Sequence, residues 1–132
     1  MQSDATGVRK VNVTSYNDYS EYLSYNSSTG YFTVLKPFIA YITGWVENSA
    51  TAGSSYSKGS IRVNNSSIMS YTVSSLSQGA KAGSYIKYRL NTNDTICCYT
   101  QSSDGWPAQR IKIYNTMYDP NVKYDQFYNE LA

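Results

Sequence analysis

Short apolar runs that alternate with polar residues recur along the whole chain, and this period of two constrains the fold more than any other feature. Val11 and Val13 alternate with Lys10, Asn12 and Thr14; Ile61 and Val63 with Ser60, Arg62 and Asn64; Ile86, Tyr88 and Leu90 with Lys87 and Arg89; Ile111 and Ile113 with Arg110, Lys112 and Tyr114. Successive side chains of a strand point to opposite faces, so each run has one face for a core and one for solvent. Residues 47–59, 74–84 and 101–107 read as loops, and Asn64-Asn65 and Asn91–Asp94 as turns. Strands at this spacing predict an all-β antiparallel sandwich.

The densest segment runs from Tyr31 to Val46. Tyr31–Leu35 reads as a strand, Lys36-Pro37 interrupts it, and Phe38–Val46 is a second run with apolar residues on both faces. A strand covered on both sides needs a second layer outside the sandwich, so Phe38, Tyr41 and Trp45 are expected in the core or at a subunit contact. Tyr16, Tyr19, Tyr22 and Tyr25 fall three apart, which allows a short helix, but the residues between them favour extended structure. At the end of the chain Asp119-Pro120 reads as a helix start, and Tyr124, Phe127, Tyr128 and Leu131 fall at helical spacing. The expected organisation is therefore a β-sandwich head over residues 1–117 and a tail over 118–132, with a short helix that packs on the head or on a neighbour.

Composition narrows the function classes. Ser, Thr and Asn make up 42 of the 132 residues, there are 15 Tyr, and there is no His. Without His there is no Ser–His or Cys–His nucleophile pair and no imidazole metal ligand. The acidic residues show neither the spacing of a calcium cage nor a glycosidase pair. The chain thus reads as a non-enzyme, with no catalytic residue, metal or cofactor expected. A net charge of +2 gives no strong field for nucleic acid, and no apolar stretch is long enough to cross a bilayer. Residues 1–12 lack the apolar run of a secretion signal. Cys97 and Cys98 are neighbours and read as two free thiols, which suits folding in a reducing compartment.

Residues 25–34, Tyr-Asn-Ser-Ser-Thr-Gly-Tyr-Phe-Thr-Val, are followed by Pro37 and an aromatic-rich strand. This stretch resembles the core signature of C1q-type globular heads, which with the tumour necrosis factor group are jelly rolls that form trimers. Leu90–Cys98 resembles the strand–turn–strand of those heads, with Asn93 where Gly is usual; Phe38 stands where a Gly follows the Pro, and Tyr41 sits one place late. The resemblance spans roughly residues 10–115. Short Ser-, Asn- and Tyr-rich versions of this head look like those of bacteriophage virion proteins: fibre tips, head fibres and capsid decorations. It implies a homotrimeric jelly roll on a virion surface, made in the bacterial cytoplasm, with fibre, tail or capsid proteins as partners.

Trp106, in a loop beside Asp104 and Gln109, is the expected platform for a host-surface carbohydrate, with those two as hydrogen-bonding partners; Tyr56 and Tyr71 offer weaker versions of the same chemistry. A tyrosine presents a large rigid area at low entropy cost, so loops 47–59, 74–84 and 101–107 are the expected recognition surface. The leading expectation is a receptor-binding fibre head. The alternatives are a decoration or head-fibre protein, or a carbohydrate-binding module of a bacterial enzyme. A cytokine-type ligand is disfavoured by the missing disulfide and secretion signal.

Overall fold

The computed structural model describes residues 5–15, 19–47, 56–73, 80–102, 107–116 and 126–130. In chain order they form β1 (Ala5–Arg9), β2 (Val11–Ser15), α1 (Tyr19–Tyr22), β3 (Leu23–Asn26), β4 (Tyr31–Val34), β5 (Phe38–Glu47), β6 (Ser57–Val63), β7 (Ser66–Val73), β8 (Lys81–Leu90), β9 (Thr95–Ser102), β10 (Ala108–Asn115) and β11 (Gln126–Glu130). All pairings are antiparallel and fall into two sheets. The first has the order β3-β4-β9-β6-β7 with β1 also on β9, and the second has the order β2-β11-β10-β5-β8. Consecutive strands cross between sheets at β1–β2, β2–β3, β4–β5, β5–β6, β7–β8, β8–β9 and β9–β10, which makes the sandwich a jelly roll. This is the expected all-β class.

The alternation seen in the sequence builds the core. In β5 the residues Phe38, Ala40, Ile42, Gly44 and Val46 are buried, while Ile39, Tyr41, Thr43, Trp45 and Glu47 lie on the outer face. Across the sandwich, Phe32, Val34, Ile61, Ile96 and Cys98 meet Ile42, Leu90, Ile111 and Ile113 in one continuous apolar cluster. Burying side chains of this size contributes about 1.5–3 kcal/mol each.

Three expectations need correction. The tail is no helix where the structure describes it: Gln126–Glu130 is a strand inserted between β10 and β2. Its aromatic spacing suggested a helix, but two open strand edges offer a backbone ladder on both sides, and tertiary pairing overrides local periodicity. The tail is therefore part of the second sheet, so the division at residues 117 and 118 falls within the sandwich. The segment around Tyr19–Tyr25 is half of each reading, since a four-residue helix leads straight into β3. Finally, the loops are shorter than expected, because Glu47, Ser57–Gly59, Lys81–Ser84 and Gln101-Ser102 belong to strands.

One end of the sandwich is closed by tight turns. Asn64 and Asn65 join β6 to β7 with φ of 52° and 66°, the left-handed pair a two-residue hairpin needs. Asn64 binds the neighbouring turn three times. Its N–H donates to Thr95 O at 2.9 Å, its Oδ1 accepts from Thr95 N–H at 3.0 Å, and its Nδ2 donates to Asp94 Oδ1 at 3.0 Å. Asp94 in turn accepts from Asn91 N–H at 2.8 Å, which places it in the turn role read from the sequence.

Candidate functional site

Strand register assembles the opposite end. Ser57, the first residue of β6, pairs with Val73 at the end of β7 and with Ser102 at the end of β9. Glu47, the last residue of β5, pairs with Lys81 at the start of β8 and with Ala108 at the start of β10. The connections 48–56, 74–80 and 103–107 therefore all leave from one rim. Two side-chain contacts fasten it: Ser102 Oγ donates to Tyr56 O at 3.2 Å, and Lys81 Nζ lies 3.6 Å from Glu47 Oε1. Tyr56 is 40% exposed there. Trp106 and Asp104 lie outside the described residues, in the connection that Ser102 and Ala108 anchor to this rim.

Gln109 and Tyr71 do not belong to a surface site. Gln109 is fully buried and Tyr71 is 6% exposed. Gln109 shares its face of β10 with Ile111 and Ile113, and Tyr71 shares its face of β7 with Met69 and Val73. They form a polar layer inside the rim end of the core. Thr100 Oγ1 donates to Gln109 Oε1, and Gln109 Nε2 donates to Tyr99 O at 3.3 Å. The Tyr71 ring lies over two glycines. A Cβ on Gly59 would stand 2.5 Å from Tyr71 Cε1, and one on Gly44 2.5 Å from Tyr71 Oη. Burial pushes the Tyr71 hydroxyl far above its ordinary pKa, so it remains protonated.

The residues expected at a subunit contact divide in the same way. Phe38 is buried against the Tyr22 ring, whose centroid is 5.4 Å away, and belongs to the core. Tyr41 and Trp45 lie on the outer face of the second sheet. Directly paired residues share a face, so the register places Tyr85, Lys87 and Arg89 of β8 and Arg110, Lys112 and Tyr114 of β10 beside them. Tyr41 stacks on Tyr85 at 5.5 Å between centroids and lies 5.9 Å from Tyr114. Trp45 packs over bare backbone, since a Cβ on Gly83 would stand 2.8 Å from its Cβ. The Lys81 and Arg110 cations lie 5.1 and 5.0 Å from its ring. Of the basic residues read as outward, Arg9 differs: it is half-buried and pairs with Cys98, whose side chain is in the core.

The thiols are closed off. Cys98 is in the core, and Cys97 is buried on the other face of β9. Burial raises the pKa of both, and it outweighs the Arg62 guanidinium that favours the Cys97 thiolate. Arg62 itself stacks on the Tyr99 ring at 3.4 Å.

No protein-family model and no curated protein matches the chain. Solved structures similar to it include Eiger TNF from S. frugiperda, at 10% identity and a TM-score of 0.49, covering 98% of this chain and 92% of that one. Murine APRIL is similar at 11% identity and a TM-score of 0.49, covering 98% of each chain. Pika GITRL is similar at 17% identity and a TM-score of 0.45, covering 94% of this chain and 98% of that one.

Proposed function

We propose that the chain is a non-enzymatic recognition head on a bacteriophage virion surface, assembled as a homotrimer, which reads a host-surface glycan with the rim formed by 48–56, 74–80 and 103–107. The observation that carries this reading is the convergence on one end of a rigid sandwich of three Ser-bearing connections, of which 48–56 also brings Asn48 and Tyr56 and 103–107 brings Trp106. Rigid strands hold the ends of the loops in place, while the loops supply aromatic area and uncharged hydrogen-bonding groups suited to a neutral sugar. The trimer is the assembly implied by the resemblance to C1q-type heads.

Two measurements test this. A glycan array probed with the intact chain is expected to give a defined sugar that Trp106→Ala or Tyr56→Ser no longer holds; no glycan, with tight binding to a capsid or fibre protein, supports a decoration protein instead. Light scattering is expected to return three times the chain mass, and a stable monomer removes the trimeric head.

A further inference from the structure

The two ends of the chain meet in the second sheet. β2 lies at its edge, and among the described residues the strand it pairs with is β11, along Val11–Ser15. β11 in turn pairs with β10 along Arg110–Ile113. On its other side β10 pairs with β5 from Ala108 to Asn115, and β5 pairs with β8 over its whole length. The strands β10, β5 and β8 therefore form a sheet without β11, whereas β2 joins that sheet only through β11. β1 is placed differently. It pairs with β9 in the first sheet from Ala5↔Ser102 to Arg9↔Cys98, and Val8 rests on the bare backbone of Gly30, where a Cβ would stand 2.8 Å from Val8 Cγ1. Lys10, exposed, is the single residue between β1 and β2. Just past it, the Val11 N–H donates to Tyr25 Oη at 2.8 Å, and the Tyr25 ring packs on Phe32. The N-terminal segment is thus pinned to the first sheet as far as Val11, and beyond Val11 its backbone pairing depends on β11.

We propose that β11 is a latch on the N-terminal strand: when β11 leaves β10, β2 is released with it, while β1 and the rest of the sandwich stay closed. A strand without a neighbour leaves its N–H and C=O groups to water and has no ladder to offset the entropy of ordering it, so β2 is held in the sheet only while β11 is in place. The dependence runs one way, because β11 keeps its ladder to β10 if β2 leaves. β11 is also the last strand in chain order. Chains fold from the N-terminal side during synthesis, so β2, among the first strands made, has no ladder until residues 126–130 have followed. Segments that rest on few contacts open at a lower free energy than core strands, which makes β11 and β2 the part of the second sheet that releases first. Strand order and register carry this, whatever the rim binds and whichever surface meets a neighbouring copy.

Amide hydrogen exchange on the intact chain, read residue by residue by NMR, tests this. In the parent, the amides of residues 12–15 are expected to be protected no better than those of β11, and both less than those of β5, β6 and β9. Tyr128→Pro removes a backbone N–H at the centre of β11, whose ladder is paired on both sides, and proline is not accommodated there. In that variant the protected amides of residues 12–15 are expected to exchange faster by about tenfold or more, together with those of β11. β1 is expected to keep the parent's rates, and so is the Val11 N–H, whose acceptor is Tyr25. Three results overturn the proposal. The first is better protection of residues 12–15 than of β11 in the parent. The second is unchanged exchange of residues 12–15 in Tyr128→Pro. The third is loss of protection in β1 and β5 along with β11, since the last strand is then part of the core rather than a latch on it.

Discussion

The two ends of the sandwich are built on opposite plans. At one end the chain reverses through Asn64-Asn65 and Asn91–Asp94, and the turns are bonded to each other and to Val34. The core beneath is apolar, with Leu23, Phe32, Val34, Leu90 and Ile96 fully buried. At the other end the strands give way to longer Ser-bearing connections, and the core beneath includes Ser57, Thr100, Ser102 and Gln109. The closed end holds the two sheets in register, which leaves the rim end able to carry loops of varied sequence. A buried polar layer is compatible with folding only when its members bond one another, as Thr100 and Gln109 do.

The comparison breaks most visibly at Phe32, which is fully buried and lies 4.4 Å from the Tyr25 ring centroid. Phe32→Ala is expected to cost about 3–5 kcal/mol, read from the urea midpoint. A loss under about 1 kcal/mol would mean that the closed end is not the main support of the fold.

The polar layer gives the next largest effect. Gln109→Leu removes the acceptor for the Thr100 hydroxyl and the donor to Tyr99 O, at an expected cost of about 1–3 kcal/mol. The double variant Gln109→Leu/Thr100→Val removes both partners and is expected to recover part of that loss. If the double variant is no better than the single one, the pair is not a coupled unit.

Alkaline pH probes the rim end and the centre of the core together. Burial raises the Cys97 and Cys98 thiols above their ordinary value of 9.0 and the Tyr71 hydroxyl above 10.0. The folded chain therefore keeps protons that the unfolded chain releases. The stability these groups contribute is complete below about pH 9 and is lost as pH rises beyond it, by up to about 1.4 kcal/mol per pH unit for each fully buried group. Urea midpoints are expected to fall between about pH 8 and pH 10, and Cys98→Ala is expected to flatten the fall. Equal midpoints at the two pH values would show that these groups ionise as freely in the folded chain as in the unfolded one.

Much of this architecture was legible in period-two patterning. The alternation of β8 and β10 assigned their faces correctly, and the Asn-rich turns fell where they were read, whereas β5, read as apolar on both faces, did not separate inward Phe38 from outward Tyr41 and Trp45. The same alternation already placed Gln109 with Ile111 and Tyr71 with Val73, so parity along the strand identifies both as inward; reading them as loop chemistry overlooked that signal. The other differences depend on pairings distant in sequence. β11 is a strand because β2 and β10 flank it, and β1, in a polar segment, is a strand because β9 offers it an edge. The convergence of three loops on one rim follows from register between strands, which no local window contains.

The smallest expected effect separates the two devices that hold the closed end. Asn64 adopts a left-handed φ of 52° and also bonds Thr95 and Asp94 through its side chain. Asn64→Gly removes the side-chain bonds together with the Cβ, whereas Asn64→Ala removes the bonds and keeps a Cβ in a left-handed conformation, which costs about 1–2 kcal/mol more than glycine there. The bonds are exposed to water and are expected to contribute about 0.5–1 kcal/mol between them. The alanine variant should therefore unfold at a clearly lower urea concentration than the glycine variant, which should lie just below the parent. If the two variants unfold together well below the parent, the side-chain bonds to the neighbouring turn, rather than the hairpin's backbone, hold the closed end.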